Sequence, residues 1–179
     1  MQWDELEIIR RDALNLFSSS DKRDPEKRKQ FCDYLGFVLC LIYAYGWHDA
    51  EEIVGIVPFR DGFDDRAVYK EIDGETFADR ITEESTYEEV LRIIDTEAHR
   101  DYNTGIYDAA VESGIPGIRK KWMTMMDGRV RDTHDYLHGM EVGLDDRFYS
   151  FDGDSALYPG NFELPQNNIN CRCWTVLSL

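Results

Sequence analysis

The sequence predicts an α+β fold, with a helical N-terminal two-thirds and a small antiparallel sheet that caps the C-terminal end. Apolar residues recur at helical spacing until about residue 113, and after Pro116 the spacing becomes that of short strands. Glycine, proline and asparagine accumulate over residues 152–170, as is typical of loops. At 179 residues the chain suits one domain, or one domain with a helical extension. We therefore expect a helical region over residues 1–84 and an α+β domain over residues 85–179.

The N-terminal region is predicted to consist of helices. Apolar positions at helical spacing predict a first helix over residues 3–17. Asp24 followed by Pro25 predicts the start of a second helix, because aspartate caps helix N-termini and proline is tolerated in the first turn. This second helix should end at Gly46, since glycine is the usual residue just beyond a helix C-terminus. The remaining predicted helices cover residues 49–56 and 64–81.

The α+β domain begins with the clearest helix of the chain. Ser85 and Glu88 have the spacing of a capping box, and the apolar pattern continues until Gly114. One or two helical turns are expected over residues 130–137, with Asp127 as their cap. The predicted strands cover residues 120–126, 140–144, 148–151 and 171–177.

The composition excludes several function classes. The chain has 36 Asp and Glu residues against 20 Lys and Arg, so its formal net charge is −16. Such a surplus of anions argues against wrapping nucleic acid or lying on an anionic membrane. The longest apolar run, residues 34–47, is shorter than the ~20 residues that span a bilayer. The acidic N-terminal sequence predicts no signal peptide, and the four cysteines do not form the framework of a secreted protein, so a reducing compartment is expected.

One segment departs from this acidic character. Residues 118–139 contain five basic and three acidic side chains. This asymmetry is compatible with a local contact to phosphate or to an acidic partner, but it favours a solvated charged face.

Cysteine and histidine pairs near the C-terminus suggest a metal site. Cys171 and Cys173 alternate along the last predicted strand, so their sulfurs should point to the same face. His134 and His138 are four residues apart, which places them on one side of a helical turn. Two thiolates and two imidazoles form a sensible tetrahedral zinc set. The alternative is a buried thiol pair with His134 hydrogen-bonded in the core.

Glu97 and Arg100 lie three residues apart on the capped helix and are expected to pair. Glu97 is then either a general acid or base, or one half of a structural ion pair. An enzyme would need its charged groups in one cleft. The residues available for such a cleft are Glu97, His99, Asp127, Arg129 and His134. The chain contains no phosphate-binding glycine loop and no serine nucleophile motif.

The second half of the chain contains a series of short motifs in a characteristic order, which ends in Asn-Cys-Arg-Cys. The residues that form the series are Thr96, Glu97, Arg100, Asn103, Trp122, Asp127, Arg129, Arg131, His134, Gly139, Pro159, Asn170, Cys171, Arg172 and Cys173. Over about residues 85–175 this series resembles the phage Mu F-like family of minor head proteins, also called head morphogenesis proteins.

The resemblance implies a non-enzymatic minor head component of a tailed phage or prophage. Such proteins assist head assembly and the packaging or ejection of DNA. The expected partner is therefore portal or capsid protein, with at most a local contact to DNA. The expected location is the virion, in the head interior or at the portal, and the host cytoplasm during assembly.

The resemblance leaves two alternatives open. Some branches of the family have four thiols where this chain has only His134, Cys171 and Cys173, so His138 would have to be recruited as a ligand. The chain therefore either binds no cofactor, which is the leading expectation, or is a zinc-stabilised interaction module. Related domains also occur joined to toxin or enzyme modules, but this chain is too short to carry a second catalytic domain. The enzyme or toxin-like alternative instead places Glu97, His134 and Arg129 in one cleft.

Overall fold

Two long helices form the first layer of the fold. The computed structural model describes residues 7, 11–13, 15–18, 23–59, 74–76, 79–82 and 85–179. Helix α1 comprises Pro25–Val54 and helix α2 comprises Tyr87–Ser113. As predicted, α1 begins after Asp24, whose carboxylate accepts a hydrogen bond from the backbone N–H of Glu26 at 2.9 Å. The helices predicted over residues 3–17 and 64–81 lie largely outside the described residues.

Helix α1 does not end at Gly46, so this prediction was wrong. A Cβ atom at Gly46 would lie 2.0 Å from the carbonyl oxygen of Tyr102, and one at Gly105 would lie 2.1 Å from that of Tyr43. Gly46 is therefore a packing residue that lets the backbones of α1 and α2 meet. The separate short helix predicted over residues 49–56 is the continuation of α1.

Helix α2 begins one residue later than predicted. Its N-cap is Thr86, whose side chain accepts the N–H of Glu89, while the Glu89 carboxylate accepts the N–H of Thr86 at 2.8 Å. The capping box therefore starts at Thr86 and not at Ser85. The helix ends as predicted at Gly114, which has the left-handed φ of 60°.

The sheet is small and antiparallel, as predicted. Strand β1 (Arg119–Thr124) lies between β2 (Glu141–Gly143) and β5 (Cys173–Ser178). A separate ribbon pairs β3 (Phe148–Tyr149) with β4 (Ser155–Ala156). Two single-turn helices complete the cap, α3 (Asp132–Asp135) and α4 (Pro165–Asn168). The predicted loop over residues 152–170 was therefore partly wrong, because it contains β4 and α4.

The buried side chains form two clusters. One lies between α1 and α2 and includes Leu177 of β5. The other fills the cap around Trp122, which has no exposed surface. Asn103 of α2 connects the helices to the cap, because its Oδ1 accepts the N–H of Thr175 at 2.8 Å. The division at residues 84 and 85 stays a prediction, and α1 and α2 share one hydrophobic core.

No helix among the described residues is both long and apolar enough to cross a membrane.

Candidate metal centre

Three of the four predicted metal ligands come together in the cap. The Nδ1 atom of His134 lies 3.7 Å from the sulfur of Cys171 and 3.7 Å from that of Cys173. His134 is on α3, which follows β1. Cys173 is the first residue of β5, which pairs with β1, and Cys171 lies two residues before it. The pairing of these strands therefore brings together residues that are 37 and 39 positions apart.

The fourth predicted ligand, His138, is engaged elsewhere. Its Nδ1 accepts the backbone N–H of Thr124 at 3.1 Å and lies 3.0 Å from the hydroxyl oxygen of the same residue. Among the described residues, the group of ligand atoms within 4.8 Å of one another contains only His134, Cys171 and Cys173. Among the described residues, three of the four predicted ligands are therefore placed so that they could hold a metal ion.

Aromatic rings enclose this site. The imidazole of His134 stacks on Phe162 at 5.0 Å between centroids and meets the edge of Trp122 at 5.6 Å. His134 is 1% exposed, Cys171 7% and Cys173 0%. The Nε2 atom of His134 is buried and has no hydrogen-bond partner within the described parts of the chain.

Burial and mutual contact determine the protonation of the site. A hydrogen bond between the two thiols lowers the pKa of Cys173 and raises that of Cys171, so the pair favours one thiolate. Burial lowers the pKa of the neighbouring His99 to about 4, so this imidazole is neutral at pH 7. A thiolate and neutral imidazoles are the forms that bind metal.

The three residues fit a zinc ion in both chemistry and spacing. Sulfur and nitrogen ligands of tetrahedral zinc, at about 2.3 and 2.0 Å from the metal, lie roughly 3.6 Å apart. The observed sulfur–nitrogen distances of 3.7 Å match this spacing. The same contacts also suit the alternative, a buried thiol pair hydrogen-bonded to His134. In either case this cluster joins β5 to the segment that follows β1.

Glu97 forms the expected ion pair with Arg100. Its carboxylate is buried and contacts the guanidinium of Arg100 directly, and it also contacts that of Arg80 at 3.0 Å. The contact with Arg80 was not predicted, since nothing in the spacing of 17 residues indicates it. Held between two cations, this carboxylate serves as a structural tie between α2 and the segment before it.

Asp127 does not cap helix α3, which corrects the prediction. The N-cap of α3 is Arg131 and has no side-chain cap. Asp127 instead accepts a hydrogen bond from Arg172 at 2.6 Å and one from the backbone N–H of Arg129 at 3.1 Å. The guanidinium of Arg131 donates to the carbonyl groups of Gln166 and Ile169. Both arginines, Arg131 and Arg172, therefore hold the chain on either side of Cys171.

The five residues proposed for a catalytic cleft fall into separate groups. Glu97 is bound by arginines, while Asp127 contacts Arg172 and Arg129. The Arg129 side chain is 75% exposed. Only His99 and His134 lie near the same residue, Cys173. Within the described residues, no hydrogen bond or ion pair connects the three groups.

Several other positions of the motif series shape the cap. Gly139 has a φ of 78° and Asn170 a φ of 54°, both in the left-handed region. The N–H of Asn170 points to the hydroxyl of Thr96 at 3.4 Å, and Pro159 is buried. No sequence pattern predicted the burial of Lys120. Its side chain is fully buried, contacts the carbonyl of Leu144 and lies over the ring of Tyr107.

The fold is a pair of long helices packed against an α+β cap. In the cap, the Cys/His cluster connects the last strand to the helical turn that carries His134. A family model described as "Phage Mu protein F like protein" matches residues 65–176. The match covers more than half of the chain, which therefore belongs to this phage head protein family.

Two curated relatives match part of the chain. The NAD(+)--arginine ADP-ribosyltransferase EFV of Enterococcus faecalis (strain ATCC 700802 / V583) is 40% identical over 96 residues, which cover 52% of this chain and 19% of that protein. The minor head protein GP7 of Bacillus phage SPP1 is 30% identical over 79 residues, which cover 44% of this chain and 26% of that protein. The chain thus spans about a quarter or less of these relatives. No solved structure matches it significantly.

Proposed function

We propose that this protein is a minor head component of a tailed phage or prophage, which acts by binding portal or capsid protein. The observation that carries the proposal is the family match over residues 65–176, together with the likeness to a minor head protein. Through this binding the protein assists head assembly and the packaging or ejection of DNA. Its place is in the head interior or at the portal, after assembly in the host cytoplasm.

Exposed aromatic side chains on the cap offer a surface for such a partner. The rings of Tyr136 and Phe151 lie 4.3 Å apart, and Phe151 is 76% exposed. Tyr149, two residues earlier on β3, is 62% exposed. Exposed aromatic clusters are common at the centres of protein–protein interfaces. The net charge of −16 makes protein a better partner than DNA, with any DNA contact limited to the basic side chains of residues 119–131.

Co-expression with portal and coat proteins from the same phage or prophage genome tests this proposal. The tagged protein should retain portal or coat protein through washing. The double variant Tyr136→Ala/Phe151→Ala should retain at least about tenfold less of it than the wild type, because aromatic anchors carry much of the binding energy of an interface. Ile56→Ala is the matched control, because Ile56 is 92% exposed but lies beyond the end of α1. Absence of both proteins from the purified material would count against the proposed function.

A second proposal is that zinc stabilises the cap. The spacing of His134, Cys171 and Cys173 supports it. Protein purified without chelator should contain about one equivalent of zinc by elemental analysis. Less than about half an equivalent, in protein that is folded, would favour the buried thiol pair.

A further inference from the structure

The outer face of α1 presents apolar side chains to solvent. Phe37 is 63% exposed and Leu41 is 41% exposed, while the opposite face of α1 packs with α2 in the core. Gly46 lies on that opposite face, where it meets the backbone of Tyr102. Single exposed apolar residues are normal, but several that follow one face of a helix indicate a surface that binds another molecule.

This outer face has the spacing of a coiled-coil seam. Its central residues are separated by gaps of three, four and three positions, as are the a and d positions of a heptad repeat. They are Tyr34, Phe37, Leu41 and Ala44. The same alternation of gaps extends over residues 27–51, and each position in it is exposed or half-buried. The outer face of α1 is therefore suited to pack against another helix.

The seam is complementary to itself when two copies of α1 lie antiparallel. If Phe37 of one copy lies opposite Leu41 of the other, the same register sets Tyr34 opposite Ala44. A large ring then meets a methyl group, which suits the dense packing of an apolar layer. Each layer occurs twice, because a two-fold axis relates the two copies.

The charges of α1 favour the same arrangement. Residues 26–33 contain three basic and two acidic side chains, whereas residues 48–52 contain three acidic side chains and no Lys or Arg. An antiparallel pair sets the first segment opposite the second, so Lys27 lies beside Glu51 and Glu52 of the other copy. A parallel pair would instead bring like charges together at both ends, which is unfavourable.

Glu52 is the better of these two partners for Lys27. Glu51 already lies 3.0 Å from the Nδ1 atom of His48 and accepts the backbone N–H of Val57 at 3.3 Å. Glu52 lies on the exposed side of the helix.

We propose that α1 is a dimerisation helix, which packs antiparallel against α1 of a second copy of this chain, with Phe37 opposite Leu41. Ion pairs between Lys27 and Glu52 form the two ends of the seam. The net charge of −16 on each chain opposes association, but charges farther apart than about 8 Å are largely screened at physiological ionic strength. An interface of one helix from each chain is small, so the dimer is weak and depends on protein concentration.

Light scattering by the purified full chain over a range of concentrations tests the proposal, because it measures the mass of the particle. The mass should rise from one chain towards two as the concentration increases. Phe37→Glu should raise the dissociation constant of the dimer by at least about tenfold, since it places a charge in the apolar seam. Val111→Glu is the matched control and should dimerise like the wild type, because Val111 is 48% exposed near the end of α2. Circular dichroism checks that each variant is folded.

A charge exchange tests the antiparallel register and does not depend on Phe37→Glu remaining folded. Lys27→Glu and Glu52→Lys should each weaken the dimer, because each sets like charges beside one another. The double variant Lys27→Glu/Glu52→Lys should restore it, because the ion pair is reversed but intact.

A mass of one chain at every concentration would overturn the proposal, as would a double variant that dimerises no better than the single variants. If the wild type stays monomeric and Phe37→Glu loses its capture of portal or coat protein, the face belongs to a head protein and not to a second copy. The head-component function is judged by capture of portal or coat protein in the wild type, so its failure is distinguishable from failure of the dimer.

Discussion

Replacement of Gly46 by alanine should destabilise the protein by separating its two long helices. The added Cβ would lie 2.0 Å from the carbonyl oxygen of Tyr102, whereas ordinary contacts begin near 3.4 Å. The obstructing atom belongs to the backbone of α2, so no side-chain rotation relieves the clash and the helices must move apart by about 1 Å or more. Overpacking of this kind costs up to about 3 kcal/mol, while alanine gains about 1 kcal/mol in helix propensity. The net loss in the free energy of unfolding is therefore about 2 kcal/mol.

Thermal unfolding followed by circular dichroism measures this loss. For a chain of this size about 2 kcal/mol corresponds to a decrease of roughly 4–8 °C in Tm. Gly128→Ala is the matched control, because a Cβ there meets nothing within 4 Å and the residue does not have a left-handed φ. If the Tm of Gly46→Ala lies within about 1 °C of that of the wild type, the inference that the two helix backbones are in contact at Gly46 is wrong.

Three further predictions concern the cap. Asn103→Leu should lower the free energy of unfolding by about 1–3 kcal/mol, because the buried N–H of Thr175 loses its acceptor. Urea titration measures this loss, and an unchanged urea midpoint would contradict the connection between α2 and β5. Chelation of zinc should lower the Tm of the wild type but not that of His134→Ala, and equal effects on both would exclude a role for His134 in binding. Burial lowers the pKa of Lys120 to about 8 from its ordinary 10.5, so between these values the unfolded chain binds more protons and stability should rise with pH. The rise, at most roughly 3 kcal/mol, should be absent in Lys120→Met, and parallel pH profiles of the two proteins would refute it.

Sequence patterns predicted which helices and strands are present more accurately than they predicted where each one begins and ends. The α+β class, the start of α1 and the end of α2 were confirmed because each depends on local chemistry, such as the Asp24 cap and the left-handed Gly114. Gly46 was misread because a glycine that ends a helix and one that lets two helices touch look alike in a sequence. Only the position of Tyr102 on the partner helix distinguishes them.

The same limit applies to the site. Strand alternation over residues 171–177 predicted that the sulfurs of Cys171 and Cys173 point the same way. Cys171 lies before β5 and not in it, yet both sulfurs contact the Nδ1 atom of His134. The position of His99 beside Cys173 depends on how α2 packs over β5, which no local spacing reveals. Lys120 lies between two other basic residues, a pattern that is typical of a solvent-exposed strand face. It is nevertheless buried, and its ammonium group lies over the ring of Tyr107.

The residues that identify the family mostly maintain the fold of the cap, which has a consequence for partner recognition. Asn103 ties α2 to β5, Arg131 holds the carbonyl groups before Cys171, and Asn170 adopts the left-handed turn that leads into that cysteine. Because these three side chains are occupied within the protein, they are not available to recognise the partner that we propose. Under the proposed function, partner specificity would then come from exposed positions, among which Tyr149 and Phe151 are prominent outside the motif series and Arg129 within it. Exchange of these exposed residues between relatives should therefore change partner choice while leaving the unfolding midpoint unchanged.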